Sequence, residues 1–195
     1  MHIKLEAVTK RYGRLRALED ISLTIEPGEI VAALGSNGAG KTTLLRCLCA
    51  IAAPDRGRVL FDGEPFHRGR VDLRQKLLFL SDFPIVFPQL TVARHIAMIL
   101  GLYGKDGGES AEAVTQHLYG LDLLPTVDTV VGQLSRGQIY KVALATLLSI
   151  DPELWLFDEP FARGWIRAGS RTSGSKRGWP RREGGRSFTP RKFWK

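Results

Sequence analysis

Eight residues constrain this chain more than any others. Gly35-Ser36-Asn37-Gly38-Ala39-Gly40-Lys41-Thr42 fits the pattern G-x-x-x-x-G-K-[ST]. A continuous apolar run, Ile30-Val31-Ala32-Ala33-Leu34, comes just before it. That run reads as a strand buried on both faces. Leu44, Leu45, Leu48 and Ile51 follow at helical spacing. Strand, glycine-rich turn and helix in this order define a phosphate-binding loop. Glycines let the backbone curl so that successive N–H groups face the phosphates. The helix N-terminus adds partial positive charge. Lys41 is expected to reach the β- and γ-phosphates, and Thr42 to ligate Mg²⁺. Gly35, Ser36, Asn37, Gly38, Ala39, Gly40, Lys41, Thr42 and the adjacent Thr43 are therefore the candidate nucleotide contacts.

A second apolar run, Leu154-Trp155-Leu156-Phe157, ends in Asp158-Glu159-Pro160. Two acids at a strand end are common on their own. Downstream of a phosphate-binding loop they acquire roles. An Asp there holds Mg²⁺, and a following Glu orients and polarises the attacking water. Asp158 is thus a candidate metal ligand, and Glu159 a candidate catalytic residue beside Lys41.

The remaining order of elements supports an α/β fold. Residues 3–9 and 21–25 read as short strands, the second alternating with period two as in an antiparallel sheet. Residues 58–61 and 77–80 read as further strands. Residues 90–149 read as mainly helical, with Thr91 as an N-cap, an amphipathic stretch over 109–119 and a third helix over 138–149. In the third, Ile139, Val142, Ala143, Thr146 and Leu147 share one face, and Pro152 ends the segment. Cys47 and Cys49, two apart in a helix, face different directions, so they are expected as buried thiols in a reducing compartment.

Charge divides the chain at about residue 162. The whole carries a net charge of +8. Residues 163–195 hold eleven basic side chains against one acid, Glu183, so the body is close to neutral. Across those 33 residues there is no Leu, Val or Met, and three of the four Trp are found there. Such a segment cannot build a core and is expected to be disordered. It alone argues for nucleic acid, which makes a nucleic-acid partner an unfavoured reading. No apolar run reaches the ~18 residues of a membrane span, and the N-terminus has no apolar signal region.

Leu134-Ser135-Arg136-Gly137-Gln138 opens the third helix. The phosphate-binding loop, then Leu-Ser-x-Gly-Gln, then an apolar strand ending Asp-Glu-Pro resembles the ABC-type ATPases over residues 3–162. The resemblance implies a P-loop NTPase core with an N-terminal antiparallel β-subdomain and a helical subdomain near 88–149. It implies ATP and Mg²⁺ as cofactors. It implies a head-to-tail dimer in which Ser135 and Gly137 clamp the γ-phosphate held by a partner's loop. Tyr12 matches the aromatic that stacks on adenine. The implied function is the ATP-binding subunit of a transporter, hydrolysing Mg-ATP for a membrane permease, peripheral at the cytoplasmic face of the membrane. Two alternatives are a soluble ABC-type ATPase acting on DNA or ribosomes, and a non-catalytic nucleotide-binding remnant.

The sequence departs from that family twice. Where a Gln usually follows the strand at 77–80, Ser81-Asp82-Phe83-Pro84 places Asp82. A carboxylate there can bind Mg²⁺ directly or through water, but it repels phosphate. After residue 162 the loop Ser-Gly-Leu-Asp-Pro is missing, and no His follows His117. Codon arithmetic offers a cause. The overlapping frame across Trp165-Ile166 must read GAT, an Asp codon, and its neighbours permit Ser-Gly-(Leu/Met/Val)-Asp-Pro. A frameshift near codon 163 is the expectation. As written, the chain lacks elements that should cover the sheet, so a buried apolar strand is expected to be left exposed and hydrolysis to be impaired.

Overall fold

The computed structural model describes residues 1–105 and 107–160. The expectations for residues 163–195 lie outside them. Strands β1 (Ile3–Tyr12) and β2 (Leu15–Ile25) form an antiparallel hairpin that turns at Gly13. The hairpin is longer than the two short strands read from sequence. Strand β3 (Arg56–Phe61) pairs with the other edge of β1, and β4 (Glu64–Pro65) with β3, giving the order β2-β1-β3-β4. Ile3 and Leu5 alternate inward, but the next buried residue is Val8, three positions on. An irregularity between Leu5 and Val8 absorbs the odd residue, with Ala7 at φ 49°. This is how a bulge restores an inward face after one extra residue.

Helix α1 (Lys41–Leu48) lies between this sheet and a second, smaller one. The short helix α2 (Val71–Arg74) leads into strand β5 (Leu77–Leu80). Strand β6 (Leu154–Phe157) pairs with β5 in parallel, Leu77 opposite Leu154 and Leu80 opposite Phe157. Ile3, Leu5, Val8, Cys47, Leu48, Phe61, Leu77 and Leu156 belong to one buried cluster, so α1 joins both sheets through a common core. The two cysteines are free and buried, and burial pushes the Cys49 thiol up to about 11.

Helices α3 (Val92–Leu102), α4 (Gly108–Gly120) and α5 (Arg136–Ile150) pack around Val92, Ile96, Leu118, Leu123, Val131 and Val142. The Thr91 hydroxyl caps α3 by accepting from the Arg94 amide at 3.3 Å. Helix α5 is buried on more than the one face read from sequence. Tyr140, Leu144 and Leu147 form a further cluster with Leu80 that fastens it to β5. Asp151, left-handed at φ 49°, ends α5 just before Pro152.

One expectation is overturned. Residues 30–34 form no strand, and Ile30, Val31 and Leu34 are exposed, Leu34 to 92%. A parallel strand needs ladder partners and cover on both faces. Among the described residues β5 and β6 pair only with each other, so nothing supplies them. Trp155 on β6 is also part exposed, and Ile51 is exposed because α1 stops at Leu48.

Leu34→Ser should change unfolding free energy in urea by no more than about 0.5 kcal/mol, because no buried surface is lost. Leu123→Ala, at a fully buried position, should cost about 2–5 kcal/mol. Equal losses at the two sites would contradict the placement of residues 30–34.

Candidate nucleotide-binding site

The loop at residues 35–42 reaches α1 through Gly40, at φ 90°. A Cβ at Gly40 would lie 2.2 Å from the Ala17 carbonyl oxygen of β2. Only glycine fits, both for conformation and for space. This close approach brings the β1–β2 hairpin against the loop. No side chain caps the N-terminus of α1, and its first turn contains no acid. Its leading amides and the positive end of the helix are therefore left to an external anion.

Lys41 Nζ donates to the carbonyl oxygens of Gly35 at 2.8 Å and Ser36 at 2.9 Å. The ammonium is thus folded over the loop it belongs to, where phosphate oxygens would compete with two neutral carbonyls. Charge-assisted contacts to phosphate are the stronger kind. Thr42 Oγ1 donates to Asp158 Oδ1 at 3.1 Å. Asp158 is 7% exposed, and its amide also donates to Leu80 O at 2.9 Å. The structure therefore brings together two of the three predicted metal ligands, one hydroxyl and one carboxylate. Among the described residues no group of three His, Cys, Asp or Glu side chains could hold a metal alone. A pair of hard oxygen donors suits Mg²⁺, which keeps waters and takes further oxygens from substrate phosphates.

The third, Asp82, is placed differently. Its Oδ1 is buried, and its charge acts on Tyr140 of α5. Burial first, and Asp82 second, push the Tyr140 phenol up to about 12. Glu159 is exposed and left-handed at φ 50°, an uncommon conformation for a non-glycine residue.

Tyr12 ends β1 beside the hairpin turn, 45% exposed, with Lys10 Nζ 5.7 Å from its ring centre. Lys10 is paired with Asp55 at 2.9 Å, and the Arg11 amide donates to the same carboxylate at 2.7 Å. These contacts fix the backbone from which the Tyr12 ring projects. Ser135 and Gly137 stand elsewhere, at the start of α5. The Ser135 hydroxyl accepts from the Gln138 amide at 3.3 Å, while Gln138 Oε1 accepts from the Ser135 amide at 3.0 Å. This capping box makes the signature segment a well-defined helix start. Among the described residues no hydrogen bond or ion pair links Ser135 or Gly137 to residues 35–43. Sequence reasoning overlooked one contact here. The Arg136 guanidinium lies 5.8 Å from the Phe83 ring centre. The partners are far apart in sequence, so no local spacing signals the contact.

Fold and site together define a P-loop nucleotide-binding domain. The profile of the ABC transporter family matches residues 18–162, and the chain belongs to that family. The SkfA peptide export ATP-binding protein SkfE of Bacillus subtilis is 37% identical over 158 residues, covering 81% of this chain and 65% of SkfE. A sulfate/thiosulfate import ATP-binding protein of Cucumis sativus is 36% identical over 182 residues, covering 86% of this chain and 51% of that protein. A dimeric ATP-binding cassette in a post-hydrolysis state with ADP and phosphate superposes with a TM-score of 0.71 at 28% identity, covering 82% and 74% of the two chains. The chain spans about half to two thirds of the length of these curated relatives.

Ser135→Ala should lower unfolding free energy by about 1 kcal/mol through loss of the α5 cap. Ser135→Thr should retain most of it. Unfolding in urea followed by far-ultraviolet circular dichroism measures both.

Proposed function

We propose that residues 1–162 are the nucleotide-binding domain of an ABC transporter subunit, with a helical subdomain near 88–149. It binds Mg-ATP and works with a membrane permease at the cytoplasmic face. The observation that carries this reading is the Thr42–Asp158 hydrogen bond beside Lys41, which joins loop and acidic strand end across 116 residues of sequence. Lys41 and the α1 amides hold the phosphates. Thr42 and Asp158 would hold Mg²⁺, which would neutralise phosphate charge when bound. Glu159, exposed at the end of β6, orients and polarises the attacking water. Tyr12 offers a π-face to the adenine. Ser135 and Gly137, apart from this loop, serve the nucleotide of a second subunit in a head-to-tail dimer.

One observation supports the permease. The loop after β5 exposes Phe83, Ile85 and Phe87, apolar groups of the kind that mark a protein contact. Relatives named for both import and export share the fold, so the cargo is chosen by the permease. Hydrolysis by this chain is impaired, because among the described residues no neighbouring strand holds residues 30–34, which lead into the loop.

Equilibrium binding of Mg-ATP, followed by titration calorimetry, tests the reading. Lys41→Ala should weaken it roughly tenfold or more, the scale of a lost charge-assisted bond. Glu159→Gln should leave binding intact and abolish residual turnover. Turnover surviving in Glu159→Gln would remove Glu159 from its role. We also propose that the family's linking loop is encoded in a shifted frame near codon 163. Sequencing the coding DNA should show that frame open beyond the Asp codon, and an early stop there rejects it.

A further inference from the structure

The loop that leaves β5 and the first turn of α5 lie beside each other in the fold. Asp82 and Phe83 follow Ser81 in that loop, and Arg136 is the first residue of α5. The Arg136 guanidinium lies 5.8 Å from the Phe83 ring centre, within cation–π range. One turn further along α5 comes Tyr140, buried against Leu80, the last residue of β5. The buried Asp82 Oδ1 and the Tyr140 hydroxyl are shielded from solvent in the same region, and Asp82 acts electrostatically on that phenol. Two consecutive loop residues thus address positions i and i+4 on one face of α5.

The charge arrangement gives this contact a purpose. A cation in the first turn of a helix is disfavoured by the helix dipole. Arg136 stands there, next to the amides that Ser135 caps. An aromatic face offers the guanidinium a negative surface that backbone amides cannot. Holding Arg136 on Phe83 therefore stabilises the first turn and keeps the cation aside from it.

We propose that Phe83 is a positioning residue that fixes the first turn of α5, and through it the presentation of Ser135 and Gly137 to a second subunit's nucleotide. The second clause rests on the head-to-tail reading above. The first does not.

Hydrogen exchange on the full chain tests the first clause. The Gln138 amide bonds to the Ser135 hydroxyl and the Ile139 amide to the Ser135 carbonyl. Exchange at these amides should quicken roughly two- to fivefold in Phe83→Ala, the fold-change expected from an exposed cation–π contact. Phe83→Tyr should restore the parent rate. In an Arg136→Ala background Phe83→Ala should have no further effect on exchange, since the contact is already gone. Phe83 is largely exposed, so its truncation leaves the core intact. Unchanged exchange in Phe83→Ala, or effects that simply add in the double variant, overturns the proposal. For the second clause, the protein concentration giving half-maximal ATP-driven association should rise several-fold in Phe83→Ala, with affinity for Mg-ATP at the P-loop unchanged. Coupled exchange together with no ATP-driven association of the parent chain overturns the head-to-tail reading and supports the loop–helix contact. A fall in P-loop affinity equal to the loss of association counts against positioning.

Discussion

A carboxylate that is buried must be given a partner, and Asp158 is held at both its side chain and its backbone. The Thr42 hydroxyl reaches it from α1, and its own amide is tied to the Leu80 carbonyl of β5. An unpartnered charge at this depth is strongly destabilising. The arrangement therefore holds the end of β6 to β5 on one side and to α1 on the other. The common core beneath, from Ile3 and Val8 to Cys47, Leu77 and Leu156, sets the distance between these elements. Every candidate group near the phosphates is placed by this junction. Lys41 precedes Thr42 on the same helix turn, and Glu159 follows Asp158 on the same strand end.

Helix α5 organises the other half. Its capping box fixes where it starts, and left-handed Asp151 fixes where it stops. Between these ends it contributes Val142, Ala145 and Ile150 to the helical cluster, and Tyr140, Leu144 and Leu147 to the cluster with Leu80. Lys141 adds a bond from its ammonium to the Leu121 carbonyl at 3.0 Å. A helix gripped on several faces moves as a body. Its exposed first turn, bearing Ser135 and Gly137, is consequently oriented by packing more than ten ångströms of helix length away.

Local chemistry was legible in the sequence. The loop at 35–42, the Thr91 cap, the stop before Pro152 and the strands ending at Leu80 and Phe157 all follow from spacing and residue type. The helices at 92–102, 108–120 and 136–150 lie close to where periodicity put them. Family membership follows from the same motifs. Residues 30–34 were misread for a physical reason. Five apolar residues in a row state a preference for burial but carry no information about whether a neighbouring strand is present to satisfy it. Bulges were equally silent, because the register shift between Leu5 and Val8 is set by β2 and β3 together. The contact of Phe83 with Arg136 joins residues 53 positions apart, beyond any local period.

The open run at residues 30–34 bears on more than the binding of nucleotide. It is an extended, apolar stretch without ladder hydrogen bonds, entered from the turn at Glu26 and Glu29 and leading straight into the glycine loop. Chaperones capture such segments and proteases cut them, and neither needs the rest of the domain to unfold first. A strand that fitted against them would supply the missing ladder bonds and remove that exposure.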